Sequence, residues 1–184
     1  MKIENIYQAL PDEMYHKQSA KIAKDPKIVL FNQALADEIG WEVQQDAQKV
    51  LCANKVPNGT TTLALAYAGH QYGRYTMLGD GRALYMGSVN NGHKRFDIHC
   101  KGTGPTKYSR GGDGMATLSS MLKEYICSES MHALGINTTR SLAVCTTGSE
   151  IMRDELQPAA ILSRVATSHI RFGTFCLLYT SPSP

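Results

Sequence analysis

No two cysteines in this chain stand in a Cys-x-x-Cys arrangement. The five fall at positions 52, 100, 127, 145 and 176, a spacing that argues against a zinc site. Their odd number and wide separation also argue against a disulfide framework, so reduced thiols are expected. No apolar run approaches the roughly 18 residues of a membrane-spanning helix. The opening stretch, Met-Lys-Ile-Glu-Asn-Ile, is charged and then polar. It lacks the apolar centre of a secretion signal, and it is not the acid-poor, Arg- and Ser-rich leader of an imported protein. These absences point to a cytoplasmic protein with no membrane partner. Dense basic tracts are missing too. Nineteen Lys and Arg against 16 Asp and Glu leave a net charge of +3, so a nucleic-acid partner is not expected. Lys101, Lys107 and Arg110 are not interleaved with enough stacking aromatics to change that. There is no His-Glu-x-x-His, no nucleophile elbow, no readable Ser/His/Asp or Cys/His triad and no internal repeat. His70, His99 and His169 therefore read as structural or loop histidines.

What remains is a globular composition, 42% apolar and 19% charged over 184 residues. That is enough for one compact, monomeric domain with a real core. Residues 1–56 read as a helix-and-loop scaffold. Phe31, Leu35 and Ile39 recur at helical spacing, Gly40 ends the stripe and Asn32 is placed to cap it. Residues 57–81, rich in Gly, Thr and Tyr, lead into Leu78-Gly79-Asp80-Gly81-Arg82. A strand is expected over 83–89, a hairpin at Asn90-Asn91-Gly92 and a second strand over 95–101. In that strand Phe96, Ile98 and Cys100 alternate with Asp97, His99 and Lys101, which predicts one buried and one exposed face. A polar, glycine-heavy loop fills 102–116. A helix follows from about 117 to 134, with Leu118, Leu122, Tyr125 and Ile126 inside and Gly135 as its stop. Strands are expected over 140–146, 150–153 and 159–166, with a turn at Gly148. The uncharged residues 176–184 break the pattern and resemble an in-frame translation of a sequencing adapter, so the native reading is expected to end at Phe175. A Gly-rich loop, a hairpin, a strand ending in Lys101 and a helix carrying Glu124 follow the plan of a protein-kinase amino-terminal lobe, an α+β fold. That lobe is taken as residues 57–175.

Gly79 and Gly81 allow the backbone to bend and its N–H groups to approach a phosphate, and Arg82 adds a planar donor for two phosphate oxygens. By itself the four-residue string is more often just a turn. Lys101, at a strand end, is either a phosphate-binding point charge or a solvated lysine. Glu124, 23 residues on, is either the partner that holds the ammonium in place or a helix-surface carboxylate. Lys107 and Arg110 are further candidates for phosphate contact. Asp113 suits a base or sugar contact or a shared metal, and equally a turn or helix cap. Arg164 and Arg171 either aim at one pocket or lie on the surface.

Four stretches resemble the selenoprotein O, or YdiU, family: YAGHQYGRYTMLGDGRA at 67–83, KGTGPTKYSRGGDG at 101–114, KEYICSESMHALGINTTRSLAV at 123–144 and SRVATSHIRFGTF at 163–175. The resemblance runs to Phe175, and family members are much longer. It implies a pseudokinase-like fold that binds ATP in a flipped orientation. It also implies transfer of AMP to Ser, Thr or Tyr hydroxyls of proteins, with Mg²⁺ or Mn²⁺. By motif position the nucleotide contacts fall on Gly79, Gly81, Arg82, Lys101, Asp113, Gly114, Arg164 and Arg171, and Glu124 falls on the partner of the lysine. The family's catalytic aspartate and its metal-binding Asn and Asp belong to a later lobe that this sequence does not contain. The stretch by itself is therefore expected to be inactive. A non-catalytic nucleotide-binding module and kinase-type γ-phosphoryl transfer are the alternatives.

Overall fold

A computed structural model describes residues 3–41, 46–56 and 60–180. The expected lobe's first residues, 57–59, and the tail residues 181–184 lie outside the described residues. Two short strands come first, β1 (Ile3–Glu4) and β2 (Tyr15–Lys17), then β3 (Lys27–Phe31) and two short helices, α1 (Gln33–Ile39) and α2 (Ala47–Leu51). The hairpin β4 (Leu63–Gln71) and β5 (Arg74–Gly79) precedes β6 (Ala83–Asn90) and β7 (Arg95–Lys101). After α3 (Leu118–Ala133) come β8 (Arg140–Met152), β9 (Leu156–Ala166) and α4 (Phe172–Thr180). The described strands pair antiparallel in one nine-stranded sheet, in the order β2-β4-β6-β7-β9-β8-β3, with β1 on β6 and β5 on β4. Helices against an antiparallel sheet make this a mixed α and β fold of the α+β kind.

Alternation along the central strands splits the core into two layers. Ile98 and Cys100 of β7 and Ile161 and Val165 of β9 face α1 and α2, against Leu35, Ile39, Val50 and Leu51. Val144, Ala160 and Leu162 face α3, where Met121 is buried and Leu118, Leu122 and Tyr125 pack beside it. Asn32 caps α1, its Oδ1 accepting from the Leu35 N–H at 3.1 Å, and Gly40 ends that helix. Thr117 caps α3 through the Ser120 N–H at 3.2 Å.

Several expectations change. Residues 1–56 supply three strands to the sheet as well as helices, and Phe31 closes β3 instead of opening the helical stripe. The hairpin of β4 and β5 lies where no strand was assigned. Leu63, Ala64, Leu65 and Ala66 are all buried, so that stretch carries no alternation to read. The strands expected over 140–146 and 150–153 are one, β8. The turn expected at Gly148 falls within a register irregularity between Thr146 and Glu150. Ile126 is 59% exposed, because one residue past Tyr125 turns the helix about 100° away from the sheet. The expected tail begins inside α4, where Leu177 is buried with Met14, Ala66 and Ala68.

The largest correction concerns β7. Asp97 and His99 belong to the face expected to be exposed, yet both are fully buried. The N-terminal turn at Tyr7 and the loop at Ser168–His169 cover them. The Asp97 carboxylate accepts from Tyr7 Oη at 2.5 Å, Ser88 Oγ at 2.7 Å and the His169 N–H at 3.1 Å. Those three donors offset the loss of water around the charge. Burial, with Asp97 adding to it, raises the Tyr7 phenol to about 12. Replacing Asp97 with Ala would strand the three donors, at a cost on the order of 3 kcal/mol or more. Ile126→Ser should change stability by less than about 0.5 kcal/mol. Urea unfolding of the two variants checks both values, and equal costs would contradict this burial pattern.

Candidate functional site

The end of β5, the end of β7, the 102–114 loop and the far end of β9 enclose a cavity of about 460 Å³. Among the described residues six cationic side chains line it, Arg82, Lys101, Arg110, Arg153, Arg164 and Arg171, against the two carboxylates of Asp80 and Asp113. All eight residues singled out as nucleotide contacts, Gly79, Gly81, Arg82, Lys101, Asp113, Gly114, Arg164 and Arg171, are among the lining residues. Such an excess of positive charge suits a multiply charged anion.

Lys101 ends β7 and points toward α3, where its Nζ lies 2.5 Å from Glu124 Oε2. Of the two alternatives for Glu124, the structure has the partner that holds the ammonium. Both partners are partly buried. Desolvation lowers the Lys101 pKa, and Glu124 opposes it without cancelling it. The other oxygen of Glu124 lies 3.4 Å from Arg164 Nη1. One carboxylate therefore steadies two cations while leaving the cluster positive.

Sheet register sets the next link. His99 and Arg164 are opposed across β7 and β9, and Arg164 Nη2 lies 2.7 Å from His99 Nδ1. A guanidinium only donates, so Nδ1 accepts and the ring proton sits on Nε2. That proton is donated to Asp80 Oδ2 at 3.0 Å. Full burial lowers the His99 pKa and keeps the ring neutral, despite the pull of Asp80. Asp80 Oδ2 also accepts from the Leu65 N–H at 3.1 Å, and Oδ1 pairs with Arg171 Nη1 at 3.0 Å. Burial works against the Asp80 charge, but these partners outweigh it and hold its pKa below the usual range. Arg171 lies over the Tyr67 ring, 4.6 Å from its centroid. His99 stacks on His169 at 4.5 Å. Burial, with His99 and the nearby arginines adding to it, lowers His169 well below its ordinary pKa.

The Asp80 N–H donates to Leu65 O and the Gly81 N–H to Gly79 O, so these two groups are engaged within the protein. The 102–114 loop lies against Gly79 and Gly81. A Cβ on Gly79 would overlap the Tyr108 ring, and one on Gly81 would press on the Tyr108 carbonyl. Thr106 Oγ1 donates to Asp80 O at 2.7 Å, and Ser109 Oγ donates to Gly81 O. Gly114 has a φ of +64° and sits against the Gly104 carbonyl, where a side chain has no room. Asp113 is clamped by Arg153 at 2.8 and 3.0 Å and accepts from the Met115 N–H at 2.9 Å. Lys107 is not among the cavity's lining residues, whereas Arg110 is.

Sequence reasoning passed over Asp80, His99, Arg153, Tyr67 and Tyr108. Asp80 had a signal, since a carboxylate between two glycines in a basic loop needs a partner. His99 and Arg153 had none, because their partners are 65 and 40 residues away. The carboxylates do not suit a divalent cation. Asp80 is saturated, Asp113 is held by Arg153 and Glu124 serves two cations. Among the described residues no three His, Cys, Asp or Glu side chains form a metal-binding group.

If Glu124 is what sustains the Lys101 charge, Glu124→Gln removes the carboxylate that raises its pKa. Desolvation and the repulsion of Arg164 and Arg82 would remain. The Lys101 pKa should therefore fall further. A ¹³C-lysine NMR titration of wild type and variant reads this directly, and an unchanged or higher value would refute the pairing's role.

The chain matches the family described as Protein adenylyltransferase SelO over residues 1–184. It is 50% identical over 178 residues to a Protein nucleotidyltransferase YdiU of Clostridium perfringens (strain SM101 / Type A), covering 94% of this chain and 36% of that protein. Proteins of the same name from Lachnoclostridium phytofermentans and Anoxybacillus flavithermus are each 51% identical. These matches cover 95% and 94% of this chain and 37% of each relative. The chain thus spans little more than a third of the length of the curated relatives it matches. With a match along its whole length and half its residues identical to those of named relatives, the chain belongs to the SelO/YdiU family of protein nucleotidyltransferases.

Proposed function

We propose that this chain is the ATP-gripping part of a protein adenylyltransferase, which passes AMP from ATP to Ser, Thr or Tyr hydroxyls of other proteins. The observation that carries the reading is the convergence of Arg82, Lys101, Arg164 and Arg171 on one cavity, in a family named for adenylyl transfer. The volume, about 460 Å³, lies within the roughly 300–1,000 Å³ of small-molecule sites. A lysine at the end of β7, held by a glutamate of the helix that follows, is also the arrangement by which protein kinases grip ATP. That likeness supports a pseudokinase-like lobe.

In the proposed reaction the acceptor hydroxyl oxygen attacks the α-phosphorus and the bond to pyrophosphate breaks. Negative charge grows on the leaving oxygens, where fixed Arg and Lys side chains stabilise the transition state more than the ground state. The hydroxyl proton needs a base. Asp80, Asp113 and Glu124 are each committed to cations, so none of them serves. We assign the base and the Mg²⁺ or Mn²⁺ ligands to the part of the family's length that this chain does not span. By itself the chain should bind nucleotide without turning it over. A cytoplasmic, monomeric enzyme with protein acceptors completes the proposal.

Two measurements test it. In the intact gene product, label from [α-³²P]ATP should become attached to protein and label from [γ-³²P]ATP should not. The opposite pattern would establish phosphoryl transfer instead. In this chain, Lys101→Ala should weaken ATP binding by about tenfold to a hundredfold, the worth of a charge-assisted hydrogen bond. Calorimetry showing wild-type affinity in that variant would remove Lys101 from the site.

A further inference from the structure

Two buried side chains, Asp80 in the cavity wall and His99 behind it, have no part in the reaction just described. Asp80 and His99 are 3% and 0% exposed, so neither is placed to grip a ligand at the surface. Yet each touches an arginine that lines the cavity. His99 Nδ1 accepts from Arg164 at 2.7 Å, and Asp80 Oδ1 pairs with Arg171 at 3.0 Å. The two are joined to each other by the 3.0 Å bond from His99 Nε2 to Asp80 Oδ2. Arg164 belongs to β9, whereas Arg171 lies in the loop before α4.

We propose that Asp80 and His99 form a positioning axis that locks Arg164 and Arg171 into one clamp for the phosphate chain of a nucleoside triphosphate. This rests on the nucleotide-binding reading above. The argument turns on what kind of acceptor holds each arginine. A carboxylate in place of His99 would orient Arg164 equally well but would cancel much of its charge. A neutral imidazole orients the guanidinium and leaves its charge to act on the ligand. Among the described residues Arg164 has one other acceptor, Glu124, at a longer 3.4 Å, and its buried Nε has no hydrogen-bond partner. The short bond to His99 is therefore its main tether. Asp80 ties Arg171 more firmly. Its Leu65 N–H bond anchors the axis to β4, and His169 stacked on His99 fixes the ring plane. Preorganised donors lose less entropy when an anion arrives.

A merely structural network would affect all ligands alike, and that separates the two roles. The test uses the 184-residue chain as wild type, His99→Gln, His99→Leu and Asp80→Asn. Glutamine can accept from Arg164 and donate to Asp80 as the imidazole does, while leucine keeps the volume and loses both bonds. Calorimetry reads ATP and tripolyphosphate, saturation-transfer NMR reads adenosine, and thermal melts report folding. His99→Leu should bind ATP and tripolyphosphate about tenfold more weakly or worse, with adenosine unchanged. His99→Gln should stay within about threefold of wild type, since it restores both bonds. A folded His99→Leu with wild-type tripolyphosphate affinity would overturn the axis, as would equal losses for all three ligands. If His99→Leu does not melt cooperatively, Asp80→Asn decides by the same criterion: loss confined to the phosphate-bearing ligands supports the axis, and unchanged tripolyphosphate binding overturns it. A wild-type chain that binds neither ATP nor tripolyphosphate ends the nucleotide reading, and the axis with it.

Discussion

A line of charge-assisted hydrogen bonds crosses one face of the sheet, and the cavity takes its sign and shape from it. Glu124 on α3 holds Lys101 and reaches Arg164, Arg164 leans on His99, His99 donates to Asp80, and Asp80 pairs with Arg171 above Tyr67. Every cation along it has an acceptor, and neutral His99 bridges Arg164 to the Asp80 carboxylate. Each of these arginines and the lysine is therefore held, while the cavity keeps an excess of positive charge. An unpaired buried lysine would be driven to shed its proton and an unpaired buried carboxylate to take one up, while an arginine, which keeps its proton, would bear the full desolvation cost. The pairing lets both signs remain ionised in a half-dry site, where the cations' pull on an anion is stronger than in water.

The sheet is what makes so long a line possible. Register places His99 opposite Arg164 and Ala83 opposite Lys101, so side chains far apart in sequence meet on one rigid surface. The same face continues to Asp97, a second buried carboxylate saturated by Tyr7, Ser88 and the His169 backbone. That centre ties the first turn of the chain and the 167–171 loop onto β7, and the loop carries Arg171. The scaffold segment thus reaches the site indirectly, by fixing the loop that holds one of its arginines. On the other side, the 102–114 loop is pressed against Gly79 and Gly81 by Tyr108, Thr106 and Ser109. Close packing at those glycines shapes the cavity wall.

Much of the fold could be read from local pattern. The hairpin of β6 and β7, the α3 helix and the α1 helix with its Asn32 cap follow from turn chemistry and apolar period. Patterns that assume one wet face failed. In β7 the polar residues face inward, and in β4 both faces are buried, so alternation predicted the wrong exposure in one and no strand at all in the other. Of the site, residue type and spacing left Lys101, Glu124, Arg164 and Arg171 each with a bland alternative, and it was the family's long motifs that singled them out.

By itself the sequence determined the family and the order of most elements, because these depend on residue type, motif and near neighbours. Only the tertiary structure decided what holds the site's cations. Asp80 and His99 act through partners brought next to them by strand pairing and loop closure, and Asp113 turns to Arg153. An acid or a histidine in a sequence carries no record of its acceptor or donor when that partner is dozens of residues away. The register of β7 against β9 supplied it.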